Sequence, residues 1–329
     1  RFDKLSRNRQ KREVEAGEIR LPFTPQPPCV DRVCGGGYNF HVIIVTAKQH
    51  RIESMNELET LCREINLPAE ETACALGEAE KYPAATDAFA EKMRRGHLRA
   101  LTRRSPAFKL AVTLKAALLA REEYRRRGIP EDVFTDTFSD ITVWSGNDRA
   151  RYGVVGLDNI GWLSRHVRLR LFKIGRLQYE LSRFVAPPFG NVANFLRALP
   201  LMFGRILNLH IQQGEPLSSE ACDVSFVRAT AFFARFFPNY RYTSFTICSW
   251  VLNPALADVI GEQSNIVKFA KRFTLLGAFP DTDMNARRLF GYGTPRSEYV
   301  GDNALRAYAL SRLNANKPLL SYFGYIRIK

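Results

Sequence analysis

The sequence has no Cys-x-x-Cys pair, no HExxH, no GxSxG elbow and no phosphate-binding P-loop. Those gaps remove the sequence-readable routes to zinc binding, metallohydrolysis, serine hydrolysis and nucleotide hydrolysis. No apolar run approaches the roughly 18–20 residues of a membrane span, so no stable membrane insertion is expected. A secretory leader pattern is also missing from the charged stretch that follows Arg1. The cysteines are Cys29, Cys34, Cys62, Cys74, Cys222 and Cys248. None of their spacings comes with a partner set of His or Cys. No metal is expected, and free thiols in a reducing, cytoplasmic setting are.

Acid is scarce in one region. The chain of 329 residues carries a net charge of +15. Residues 55–150 are close to neutral, so the excess lies outside them. Glu180 is the sole carboxylate between Asp158 and Glu215. A lone acid among bases is either neutralised by a partner or used. The charge suggests an anionic partner: a phosphate-bearing cofactor, an acidic substrate or nucleic acid.

What is present reads as an α+β chain. Residues 1–54 are basic, then proline-rich, then carry Gly35–Gly37, and are expected to form a flexible extension with a short strand at Val42 to Thr46. Residues 55–165 have helical spacing and are expected to form a bundle. Within it, Ser105 caps a helix that Pro106 opens and Gly128 ends. Arg125, Arg126 and Arg127 then fall where cations favour the helix dipole. Another helix is predicted from Glu131 to Trp144, and a basic junction helix around Leu157 to Arg170.

Residues 166–329 alternate strands with helices. Phe172 to Arg183 reads as one strand with Gly175 as a bulge. Phe184 to Gly204 is apolar and basic, suited to core packing, a lid, an acyl-chain groove wall or a membrane-touching amphipathic turn. Arg205 to Gln212 alternates as a strand, and Gly214 and Pro216 make a turn. Ser218 or Ser219 then caps a helix with Ala221, Val224, Phe226, Val227, Ala231, Phe233 and Ala234 on its apolar face. Tyr242 to Trp250 is a strand, Asn265 to Leu276 is another, and Leu319 to Ile328 closes the fold. The βαβ unit places a helix N-terminus at a strand's carboxyl end, where open sheets bind ligands.

Three places could carry chemistry. The turn after Ile211 offers backbone N–H groups to an anion such as pyrophosphate, although Glu220 and Asp223 lie nearby. Glu180 and His210 share a face if their strands are neighbours, giving a carboxylate–imidazole pair able to take a proton from an amine or alcohol. Cys248, at a strand end, is an acyl acceptor only if its pKa is lowered.

The runs Gly175 to Glu180, Leu209 to Leu217, Cys248 to Pro254 and Ser264 to Ile266 resemble, in order, the two-domain bacterial GNAT-like acyltransferases. The resemblance implies a helical N-terminal domain followed by a GNAT-like mixed β-sheet with flanking helices. It also implies acyl transfer from acetyl-CoA or another acyl-CoA to an amine or hydroxyl, on a small molecule or peptide. By the same likeness, Gln212, Gln213, Gly214, Leu217, Ser218 and Ser219 would hold the cofactor, and the residue reading above makes Glu180 or His210 the catalytic acceptor of the proton. The sequence departs from the GNAT cofactor signature, which counting from Gln212 or Gln213 does not reproduce. A second class stays open: a degenerate fold using Arg165, Arg168, Arg170, Lys173 and Arg176 to bind RNA or an acidic protein.

Overall fold

The computed structural model describes residues 39–186, 191–202 and 204–328. The chain divides into two units, Arg1–Lys48 and Gln49–Lys329, and the second carries the sheet and the site. Helix α1 (Asn39–Glu64) overturns the strand expected at Val42 to Thr46. A β-branched run with no neighbouring strand cannot satisfy its backbone in a ladder, whereas a helix satisfies it locally. The remainder of the extension, residues 1–38 with Gly35–Gly37, lies outside the described residues.

Helices α2 (Ala69–Lys81) and α3 (Pro83–Arg94) pack on the long α4 (Pro106–Arg127). The caps of α4 are those the sequence announces. Ser105 Oγ accepts from the Phe108 N–H at 3.2 Å, and Gly128 leaves the helix at φ +68°. The basic triplet pairs within its own helix: Arg125 with Glu122, and Arg126 and Arg127 with Glu123. The single helix expected after Pro130 is two, α5 (Glu131–Phe138) and α6 (Asp140–Tyr152), interrupted at Ser139. Helix α7 (Ile160–Val167) leads into the sheet.

The sheet has six strands in the order β1-β2-β3-β4-β6-β5. They are β1 (Leu171–Ile174), β2 (Leu177–Arg183), β3 (Arg205–His210), β4 (Ser244–Ser249), β5 (Thr274–Pro280) and β6 (Leu320–Arg327). Only β3 and β4 run parallel, and the other neighbours are antiparallel. The strand expected over Phe172 to Arg183 is a hairpin. Gly175, at φ +64°, is the first residue of a two-residue turn rather than a bulge.

The insertion between β2 and β3 carries the short helix α8 (Val192–Ala198). Ala198 and Leu201 bury against Phe184, Ile206 and Leu276, while Val192, Leu196 and Leu199 stay exposed. The strand expected at Asn265 to Leu276 is helix α11 (Asn265–Ala270) followed by β5, because Ser264 caps the segment by accepting from the Val267 N–H. Helices α10 (Leu256–Ile260), α12 (Thr282–Phe290) and α13 (Ala304–Asn314) complete this part.

Helix α9 (Ser219–Phe236) joins β3 to β4 and covers one face of the sheet. Its buried stripe is Cys222, Ser225, Ala229, Phe232 and Phe233, and Val224 and Val227 are exposed. The apolar face read from the sequence is therefore displaced. The cause is Ser225, whose hydroxyl accepts from the Leu177 N–H and donates to the Ile174 carbonyl, fastening the hairpin to the helix. One apolar cluster runs from Leu58 through the helices to Phe273, so the helices and sheet share a core. Among the described residues no helix is long and apolar enough to cross a membrane.

Candidate active site

Register sets which side chains meet. Glu180 lies opposite Asn208 across β2 and β3, and Gln178 lies opposite His210. Asn208 lies beside Thr246 across β3 and β4. Side chains alternate along a strand, so Glu180, Asn208, His210 and Thr246 share the face away from α9. They form a polar line. His210 Nε2 is 3.0 Å from Glu180 Oε2 and 3.2 Å from Asn208 Nδ2, and Thr246 Oγ1 donates to Asn208 Oδ1 at 3.2 Å. Arg165 on α7 reaches the same carboxylate oxygen at 3.3 Å.

Charge then fixes the proton. Burial alone would raise the Glu180 carboxyl, but its hydrogen bond to His210 and the charges of His210, Arg165 and Arg170 outweigh this and hold it at about 2. Burial lowers the His210 imidazole below its ordinary value, and Arg165 and Arg288 add repulsion. The pull of Glu180 opposes both and is the weaker influence. The state consistent with both shifts is a neutral ring that donates Nε2–H to an ionised carboxylate, so the Asn208 Nδ2 beside the same nitrogen, itself a donor, is in contact with it without a hydrogen bond. Nδ1 then keeps a free lone pair.

The parallel ladder is short. Pairing between β3 and β4 runs over Leu207–Phe245, Asn208–Thr246 and Leu209–Ile247 only. Beyond it the chains are drawn to different partners. Gln212 Nε2 donates to Asp140 Oδ1 at 2.9 Å, and Gln213 Nε2 to Asn147 Oδ1 at 3.0 Å, so the end of β3 is tied to α6. The end of β4 stays paired with β6 through Ser249–Tyr322 and then turns. The paired register thus ends one residue before His210, the last residue of β3, and the start of α9 follows the same strand.

The loop after β3 is built by an arginine. Arg176 is buried, and it donates through Nε to the Pro216 carbonyl at 2.8 Å and through Nη2 to the Glu215 carbonyl at 2.6 Å. Lys173 Nζ pairs with the Glu215 carboxylate at 2.6 Å. In a trans peptide the C=O and the next N–H point opposite ways, so the grip on Pro216 turns the Leu217 N–H away from Arg176. Gly214 takes φ +102°. Ser218 Oγ accepts from the Ala221 N–H at 3.2 Å and is the cap of α9, whose first residue is Ser219. Of the expected cofactor residues, Gln212, Gln213, Leu217 and Ser218 thus have structural work for their side chains, and the loop's offer to a ligand is its backbone. Lys173 and Arg176 are buried and employed internally, which removes them from the basic surface expected at this junction.

Asp140 was not singled out by the sequence. It is buried, accepts from Trp162 Nε1 at 2.6 Å as well as from Gln212, and lies 3.1 Å from His166 Nε2. The Trp162 ring stands edge-on to His210 at 4.7 Å and carries the Arg165 guanidinium at 5.1 Å. Asn208 and Thr246 were also missed, although their parity with His210 was available. Cys248 does not read as a nucleophile. Cys248 is exposed at the surface, but desolvation on the inner side of its sulfur, then the Asp281 carboxylate, push the thiol up to about 12. A cavity of about 20 Å³ among Trp250, Asn253, Tyr308 and Leu319 has room for one water and contains none of the polar line.

A mixed sheet whose one parallel pair has a short ladder, with a crossover helix starting after its first strand, is the arrangement of a GNAT-like fold. The family comparisons agree. An N-acyltransferase N-terminal domain matches residues 56–169, and a GNAT-like C-terminal domain matches 171–326. The chain belongs to the two-domain GNAT-like acyltransferases. Among solved structures it is similar to an acyltransferase in complex with decanoyl-CoA and teicoplanin, at 25% identity and TM-score 0.67, covering 83% of this chain and 88% of that one. A second similar structure is a tryptophan-to-alanine acyltransferase mutant with octanoyl-CoA, at 25% identity, TM-score 0.66 and the same coverage. A third is an acyltransferase with CoA and an acylated teicoplanin, again at 25% identity and TM-score 0.66 over the same shares. No curated protein matches the chain.

Proposed function

We propose that this chain transfers an acyl group from an acyl-CoA to an amine. The observation that carries the reading is the β3–β4 ladder ending after Leu209–Ile247, with the Glu180–His210 pair at the opening. The thioester arm lies in the gap, and the pyrophosphate lies against the backbone of residues 213–219 and the start of α9. The acceptor amine gives a proton to His210 Nδ1 and attacks the thioester carbonyl. The C–N bond forms, the C–S bond breaks, and the CoA thiolate leaves and takes up the proton. Glu180 holds the ring in one tautomer and steadies the imidazolium, as a carboxylate does behind any general-base histidine. Residues 55–165 act as the positioning half and residues 166–329 as the reacting half.

Supporting the donor is the acyl-CoA found in each of the two neighbours named first. The rival, a binding module for RNA or an acidic protein, is weakened because Lys173 and Arg176 are engaged inside the fold. Calorimetric titration with acetyl-CoA and decanoyl-CoA, together with thiol release in the presence of amines, tests the reading. Saturable binding and amine-dependent release are expected. Absence of binding at millimolar donor contradicts it.

A further inference from the structure

Helix α9 leaves one face without a partner. Its buried stripe lies on the sheet, and its other side carries Val224, Val227, Ala231 and Ala234, all exposed. They recur at intervals of three and four residues, so they form one line along the helix. Val224 is 55% exposed and Val227 72%. Apolar patterning assigns this line to the core, and Ser225 turns it outward by fastening the opposite side to the hairpin. Single apolar residues on a surface are ordinary, whereas a line over three turns of one helix marks a contact surface.

The charges beside that line are sorted by sign. Glu220 and Asp223 stand at the start of α9, and Arg228 and Arg235 in its second half. These are the helix's only charges, and they cancel on a chain of net charge +15. Two are used within the chain: Asp223 pairs with Arg272, and Arg228 with Asp132 at 3.4 Å. Glu220 is exposed and, among the described residues, makes no hydrogen bond or ion pair. Arg235 is exposed too, and the contact described for it is with the ring of its neighbour Phe236, at 5.0 Å. At 1.5 Å of rise per residue these two lie about 22 Å apart, too far to meet within one copy. The face therefore has an unpaired acid at one end, an unpaired base at the other and aliphatic side chains between.

Such a pattern is complementary to itself turned through half a circle. We propose that α9 is a self-association face, on which two copies of this chain pack antiparallel about a twofold axis. One register serves the charges and the apolar line together. Glu220 faces Arg235 of the second copy, Val224 faces Ala231 of the second copy, and the axis passes between Val227 and Arg228. Symmetry makes each of these contacts twice. Alanine opposite valine lets the two helices approach closely. Nucleic acid or another polyanion would meet two acids at the helix start and no row of bases along it, so charge disfavours that occupant. One helix face is small for an interface, so the dimer should be weak and reversible.

Sedimentation velocity on the whole chain, from about 1 to about 200 µM, tests the proposal. The wild type should pass reversibly from monomer to dimer over that range. Val227→Glu sets two carboxylates beside the axis and should leave monomer throughout. Glu220→Arg and Arg235→Glu should each weaken association about tenfold, because symmetry breaks two ion pairs at once. The double variant Glu220→Arg/Arg235→Glu re-forms both pairs with the signs exchanged, and should return to within about threefold of the wild type. Urea midpoints should stay near the wild-type value, since all three positions are exposed. Should Val227→Glu fail to fold, the charge exchange decides alone. A wild type that is monomeric at the highest concentration overturns the proposal. So does a dimer that persists in Val227→Glu, and so does a double variant that associates no more tightly than the single ones.

Discussion

At the scale of single residues, the account turns on where one proton sits. Burial lowers His210, so the ring is neutral at pH 7 and able to accept a proton. The pH profile of kcat/KM should therefore show an acid limb with its midpoint below the ordinary imidazole value of about 6.5. His210→Ala should lower kcat by about 10²–10³-fold and leave the KM for acyl-CoA little changed. Asp140 acts one step back. It fixes Trp162, whose ring meets His210, and Gln212, where β3 leaves β4. Asp140→Ala would strand two buried donors and should cost about 3 kcal/mol in chemical denaturation, with a shifted acid limb. Asp140→Asn keeps an acceptor oxygen and should recover part of both. Glu180 and His210 were legible because a lone acid in a basic stretch and a polar break in an apolar strand stand out. Asp140 was not, since its meaning comes from residues as distant in sequence as Trp162 and Gln212.

At the scale of elements, one short ladder and one helix start do most of the positioning. Ser218 both caps α9 and belongs to the loop proposed to hold the pyrophosphate. Ser218→Ala should destabilise by about 1 kcal/mol and also raise the KM for acyl-CoA, whereas a purely structural cap would change only the denaturation midpoint. The βαβ unit was readable because its turn and cap residues act locally. The hairpin at Gly175 and the helix at Asn265–Ala270 were not. Continuous apolar patterning hides a two-residue turn, and a short cap such as Ser264 outweighs β-branched composition. The buried stripe of α9 was misplaced for a related reason: Ser225 is polar and buried because three groups of the hairpin bond to it.

At the scale of the molecule, the helices and sheet share one core, and the helical part reaches into the site through Asp140, Asn147, Trp144 and Trp162. Stability should then report on the site. Glu180 is held at about 2 in the fold against roughly 4.3 for a free side chain, so its stabilisation is complete above the free value and is lost as pH falls toward the folded one. The stability gap between wild type and Glu180→Gln should accordingly hold from about pH 7 to about pH 5 and shrink as pH falls from about 4 toward about 2, as measured by urea denaturation. The central claim is that the acyl donor occupies the gap between β3 and β4. Amide hydrogen exchange with and without decanoyl-CoA tests it most directly. Slowed exchange confined to residues 210–222 and 248–252 is the predicted result, and protection that leaves those two segments untouched would contradict the account.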